Sequence, residues 1–355
     1  MKKNLIIVFA LLMLLLSVTA CSPKQEQEPI DAVPPTMSTP APTPEPTPEP
    51  IYNPLTGLEV EEDISSLRPF AVMINNISVA QPLCGISQAD IIYEVLAEGE
   101  ITRMMPIFSQ MKDIKAIGSM RSSRPYYIDI AQSYDAIYVH AGGSEQAYSD
   151  IASEGINNID GVRGSYASSV FYRDKSRQKY GIEHSLFTTS ENIAKCVADL
   201  GYDTEHASGY EYGMIFTDEV KLGDTAAVAS SVDVSFDGLK HTKFSYNPEG
   251  GYYTGFQFNS DLIDGNTGEA VQFENLLVLY ADTKVLDSYG RRSFDLYGTG
   301  KGYFINGGLT APILWSHSGD NKAFLYSYED GRDLELGRGK TYIAIVPTES
   351  TITMQ

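Results

Sequence analysis

Set aside Cys21, near the start of the chain, and only two cysteines remain, Cys84 and Cys196. No CxxC pair and no Cys/His ligand spacing occurs, which excludes a structural zinc site. The two thiols are far apart in sequence. They read either as a disulfide of an exported protein or as buried apolar fillers. The standard catalytic signatures are missing as well: there is no GxSxG, no HExxH, no Walker A loop and no SxxK with its partner motifs. No metal and no cofactor is implied by what is left. Positive charge is also scarce, with 26 Lys and Arg against 46 Asp and Glu for a net charge of −20. Three lysines and five carboxylates lie before residue 51, so the remainder holds 23 basic and 41 acidic residues, a net −18. Such a surface repels polyanions. Nucleic acid is thereby excluded as a partner and anionic lipid headgroups are disfavoured, whereas cations, cationic peptides and small neutral ligands are not.

The one long apolar run is at the start. Residues 1–20 combine Lys2 and Lys3, an unbroken apolar stretch over residues 5–16 and the small pair Thr19-Ala20, the pattern of a signal peptide too short for a stable membrane span. Val18-Thr19-Ala20-Cys21 resembles a bacterial lipobox, which makes Cys21 the expected lipid anchor on the extracytoplasmic face of the cell membrane. Residues 22–50 contain ten of the 18 prolines and little that can enter a core. Residues 21–50 therefore read as an extended, semi-rigid tether, reaching on the order of 90 Å at about 3.1 Å per residue. The remainder, residues 51–355, is longer than one core commonly takes. The expected division is an α/β domain over residues 51–215 and an antiparallel β-rich domain over 229–355, an α+β fold.

Residues 114–144, IKAIGSMRSSRPYYIDIAQSYDAIYVHAGGS, are the stretch around which the N-terminal part is organised. They read as strand, polar loop, helix, strand and loop. A helix is expected from Pro125, because proline suits a first turn, with Ser122 or Ser123 as its cap. A strand over residues 136–140 ends at Gly142-Gly143. Residues 91–96 and 101–108, separated by Gly99, predict a hairpin that carries Glu94, Glu98 and Arg103. Ser87 and Asp90 have capping-box spacing. Ser144 is placed to cap a helix whose buried face includes Ala147 and Ile151, and residues 190–200 before Gly201 predict another helix. Beyond Ala229, runs with alternating polarity are separated by DG, NPEGG and EDG turns, as in an antiparallel β domain. No repeat of roughly 20–50 residues is present.

Two arginines, a histidine and a helix start converge if the strands of the central stretch are neighbours. Glu94, Arg103, Arg121, Ser122, Ser123, Arg124, His140, Arg173 and His184 are accordingly the candidate pocket. Guanidinium forks suit a carboxylate or phosphate. The competing expectation is that these arginines pair internally with Glu94, Glu98 or Asp174. The GEG, GTGKG and GRGK stretches read as turns. His140-Ala141-Gly142-Gly143 resembles an esterase oxyanion loop, but no nucleophile elbow accompanies it. Residues 264–269 fit a calcium loop less well than a hairpin turn.

Longer stretches carry a resemblance to the YerB-type bacterial lipoproteins. They are NPLTGL from Asn53, RPFAVMINN from Arg68, SQADIIYEVLAEGEITR from Ser87, MRSSRPYYIDIAQSYDAIYVHAGGS from Met120, FYRD from Phe171, GGYYTGFQFNSDLIDGNTGEAVQFENLLVLY from Gly250 and LELGRGKTYIAIVP from Leu334. Asn75 stands where that family commonly has an acidic residue, and Glu183-His184-Ser185 where Pro-His-Asn is common. The resemblance implies an N-terminal α/β and a C-terminal β-rich domain and supplies no activity. Two functions stay open. One is a non-catalytic envelope module that binds a cell-wall component, a small anionic ligand or an envelope protein. The other is a wall-directed hydrolase or transferase using His140 or His184 with Glu94.

Overall fold

The computed structural model describes residues 49–223, 226–319 and 322–355. The expected signal peptide, Cys21 and nearly all of the tether lie outside these residues. Twelve strands form the main sheet: β1 (Phe70–Val72), β2 (Ile74–Asn76), β3 (Ile91–Leu96), β4 (Thr102–Phe108), β5 (Ile137–His140), β6 (Asn158–Asp160), β7 (Ala227–Val228), β8 (Asn275–Ala281), β9 (Gly298–Asn306), β10 (Leu309–His317), β11 (Leu325–Tyr328) and β12 (Thr341–Pro347). Their order across the sheet is β7-β10-β9-β8-β12-β3-β4-β1-β5-β6, with β2 also on β4 and β11 also on β10.

The last strand of the main sheet along the chain sits in its middle. β12 runs parallel to both β3 and β8, pairing Ile343 with Tyr93 on one side and with Leu277 on the other. All seven of its residues, TYIAIVP, are buried. A strand with parallel neighbours on each side is covered on both faces, so it reads as a continuous apolar run and not as an alternation. The expected hairpin is present as β3 and β4, fully buried, with Gly99 at φ 55° in its turn. β9 and β10 form a second hairpin closed by Gly307 and Gly308, both at positive φ (61° and 79°). This backbone suits a two-residue hairpin turn and favours glycine. β10 buries every second side chain over Ala311–Trp315, as a half-covered strand does.

The sequence reading placed GTGKG in a turn, but the structure makes it the start of β9. A Cβ at Gly300 would fall 2.4 Å from the indole of Trp315, so the glycine makes room for a ring across the pair. A second sheet, built from Ser231–Ser235, His241–Asn247, Tyr252–Gln257 and Ile352–Met354 with two short additions, packs on the main one. Phe244 reaches across to Tyr342 of β12, with ring centroids 4.6 Å apart.

Three helices of nine residues or more flank the N-terminal strands: α1 (Pro125–Ser133), α2 (Glu145–Ser153) and α3 (Ser190–Leu200). Ser144 caps α2 as expected, accepting from the Ala147 amide at 3.2 Å. The expected cap of α1 is absent: Arg124 holds the cap position without a side-chain bond. Ser122 Oγ donates instead to the Ala141 carbonyl and Ser123 Oγ accepts from the Tyr138 hydroxyl. Nor do Ser87 and Asp90 form a capping box. Ser87 donates to Asp264, while Asp90 accepts from Ser109 and Asn53.

The stretch between residues 215 and 229 is tied into the sheets. Ile215–Thr217 runs parallel to Glu335–Gly337, and β7 pairs with β10. Residues 49–355 form one compact unit. Cys84 and Cys196 are free thiols. Among the described residues no helix is long and apolar enough to cross a membrane.

Candidate functional site

Backbone bonds clamp the loop after Gly118 between two strand ends. Arg121 N–H donates to the Met73 carbonyl, Ala141 N–H to the Arg121 carbonyl and Ser123 N–H to the Gly142 carbonyl, all within 2.9 Å. The strand expected before this loop is only Ile117–Gly118, which pairs with Phe187 and Thr188 and is not a neighbour of β5. The loop is instead held at the ends of β1 and β5, and its side chains divide into separate sets.

The first set is closed on itself. Glu98 lies between two arginines, accepting from Arg103 Nη2 at 2.6 Å and from Arg124 Nε at 2.5 Å. Arg103 Nη1 donates to the Ser122 carbonyl and Arg124 Nη1 to that of Ser123. Burial, and then the charge of Arg103, draws the Arg124 guanidinium below its usual range, while Glu98 opposes the shift. This is internal pairing, and it consumes Arg103 and Arg124.

The second set holds Glu94, which is wholly buried on β3. Its Oε1 accepts from Asn76 at 2.8 Å and Thr102 at 2.5 Å, and Lys240 Nζ lies 2.8 Å away. Its Oε2 accepts from Thr242 at 2.9 Å and from the Tyr342 hydroxyl. Lys240 also donates to Gln257, whose amide is exchanged with that of Asn76. Every partner expected of a buried ion pair is present. His140 is likewise buried: its Nδ1 is 2.8 Å from the Gly142 carbonyl and its Nε2 is 3.1 Å from Asn158 Oδ1. Among the described residues no hydrogen bond joins Glu94 to His140 or His184.

The third set is Arg121, Asn75 and His184. Arg121 Nη2 and Asn75 Nδ2 both approach His184 Nδ1, at 2.8 and 3.0 Å. Two donors on one nitrogen assign the proton to Nε2, which faces Glu183 at 3.5 Å. Burial, followed by Arg121, keeps His184 below the ordinary histidine range. Arg173 stays at the surface and donates to the Ile182 carbonyl.

A large cleft lies elsewhere, over β8, β9 and β10, with a volume of about 740 Å³. Tyr280, Tyr303 and Trp315 supply its rings, and Asp282, Glu329 and Lys301 its charges. Trp315 is held by its indole N–H on the Tyr280 carbonyl, at 3.0 Å. Asp282 and Glu329 are exposed, with no side-chain hydrogen bond or ion pair among the described residues. The sequence reading missed this cleft. Its available signal was the pairing of small Gly300 with a large ring, which local pattern does not show. No group of three or more His, Cys, Asp and Glu among the described residues is arranged to hold a metal ion. Asp264 instead accepts from the amides of Gly85, Ser87 and Asn266, as a structural turn does.

Two family domains match this chain, the N-terminal domain of a protein of unknown function (DUF3048) over residues 55–203 and its C-terminal domain over residues 232–343. The chain belongs to the DUF3048 family. YerB of Bacillus subtilis (strain 168), which is named as a lipoprotein, is 31% identical over 301 residues, 83% of this chain and 86% of its own. The crystal structure of YerB superposes with a TM-score of 0.74 at 29% identity, covering 85% of this chain and 99% of the other. The N-terminal α/β and C-terminal β-rich arrangement of this DUF3048 chain is thus that of a solved relative. β12 lies within or just beyond the second matched segment, yet it pairs with β3 of the first.

Proposed function

We propose that this chain is an envelope lipoprotein, held through Cys21 on the extracytoplasmic face of the membrane, whose folded part binds a ligand without transforming it. The lipobox-like start and the relative named as a lipoprotein support the location. The observation that carries the binding role is the open cleft of about 740 Å³, in which aromatic rings lie beside the carboxylates of Asp282 and Glu329. Rings stack on the apolar faces of sugars, and carboxylates accept hydroxyl or amine donors, so a neutral or cationic saccharide of the cell wall fits this lining. The hydrolase alternative asks for Glu94 beside a histidine base. Glu94 and His140 are instead locked in separate buried sets.

Trp315 is the chain's one tryptophan and lines the cleft, so its fluorescence is a direct reporter. Adding soluble wall saccharides to the full chain in detergent should shift that emission saturably. The Glu329→Gln and Tyr303→Ala variants should weaken binding about tenfold each. A panel of wall fragments that leaves the emission unchanged would count against the cleft as the binding site.

A further inference from the structure

We propose that Arg121, Arg173 and Arg177, together with His184, form a second binding site that takes the phosphate group of a small phosphate ester. The motivating observation is an imbalance of charge. Carboxylates outnumber basic residues 46 to 26 in this chain, so a basic side chain has many acids available to it. Arg68, Arg103, Arg124, Arg291, Arg332 and Arg338 each make an ion pair. Among the described residues Arg163, Arg292 and several lysines make none, and neither do Arg121, Arg173, Lys175, Arg177 and Lys179, of which the last four fall in the short stretch RDKSRQK over residues 173–179.

The heads of Arg121 and Arg173 meet the Ile182–His184 turn, and that of Arg177 lies on the loop beside it. Arg121 is bonded to His184 Nδ1 and Arg173 to the Ile182 carbonyl. Arg177 spans the neighbouring loop, donating to the carbonyls of Ala80 and Pro82, while its Nε is buried with no partner. Carbonyls satisfy donors without cancelling charge, so the guanidinium charges of Arg121 and Arg173 remain at the turn and that of Arg177 on the loop beside it. Burial, followed by the nearby Arg103, pulls Arg121 down to about 10, and the charges of Glu183 and Glu98 offset this only in part.

Three acids lie near the cluster. Glu98 is held by Arg103 and Arg124. Asp174 accepts from the amide and hydroxyl of Ser176. Glu183, more than half exposed, lies 3.5 Å from His184 Nε2 and its charge also reaches Arg121 and Arg173, offsetting one of the three cations. Asn75, buried beside Arg121 and His184, contributes an amide where a carboxylate would have closed the site. Three forks and the Nε2–H of His184 exceed what one carboxylate can accept, and suit the several oxygens of a phosphate. The net negative charge of the whole chain opposes an extended anionic surface, so the partner is a small phosphate ester and not a polyanion.

The test is calorimetric titration of the full chain in detergent, at low ionic strength, with inorganic phosphate, glycerol phosphate and soluble dihexanoyl phosphatidylglycerol. Saturable binding is expected, weakened by added salt. Arg121→Gln should weaken it at least tenfold, and Arg173→Gln, at an exposed position that leaves the fold intact, several-fold. Asn75→Asp should abolish binding by supplying an internal anion, while Lys284→Gln, an exposed lysine elsewhere, should leave it unchanged. Tighter binding of the lipid than of glycerol phosphate would identify a headgroup as the source, and equal binding a free phosphate ester. Absence of saturable binding for all three probes, or wild-type affinity in both arginine variants, would overturn the proposal.

Discussion

A buried charge pair is stable only when its desolvation is offset by close, complete hydrogen bonding. Glu94 and Lys240 meet that condition through Asn76, Thr102, Thr242, Gln257 and Tyr342, which fill both carboxylate oxygens and the ammonium. The pair joins two parts of the chain: one partner comes from the first matched family segment and one from the second. Lys240→Met should therefore destabilise the protein by about 3–5 kcal/mol, because it leaves a carboxylate buried without its counter-charge. The double change Glu94→Gln with Lys240→Met should recover part of that loss. Denaturant midpoints for both variants check the expectation, and a single-variant cost below about 1 kcal/mol would show the pair to be dispensable.

Elements whose signals are local were legible in the sequence. α3 shows this in its caps: Gly201 takes the left-handed conformation at φ 65° just past its end, and Thr189 accepts from the Asn192 amide at 3.1 Å. Thr189→Ala should cost about 1 kcal/mol, as loss of an N-cap does, measured by chemical denaturation. A change within about 0.3 kcal/mol would mean that the cap bond contributes nothing. The β3–β4 hairpin and the α2 cap were readable for the same reason. The roles of Glu94 and β9 were not, since each depends on partners distant in the chain. Glu94 pairs with Lys240, 146 positions away by residue number, and Gly300 makes room for a ring on the next strand. The candidate arginines were visible as a group, but their division into a neutralised pair and an unpaired remainder was decided by which of them Glu98 could reach. Position alone does not encode that choice. Composition favoured internal pairing, and this holds for Arg103 and Arg124 while Arg121 is left out.

At the scale of the molecule, β12 decides how the protein comes apart. It lies between β3 and β8, so neither half of the main sheet can open without breaking hydrogen bonds to it. The Phe244–Tyr342 contact and the Glu94–Lys240 network bind the second sheet and the N-terminal strands to the same region. Unfolding should accordingly be a single transition. Two probes separate the halves: Trp315 emission reports on the C-terminal strands, and labelling of the buried Cys196 thiol, in a Cys84→Ser background, reports on α3. Coincident midpoints are expected, since a cooperative unit loses all its structure together. Ile343→Ala, which removes a wholly buried side chain from β12, should lower both midpoints equally, by a destabilisation of about 2–5 kcal/mol. If Cys196 became labelled at a denaturant concentration that left Trp315 emission native, residues 51–215 and 229–355 would be folding as independent domains, and β12 would be a contact between them and not the strand that makes them one.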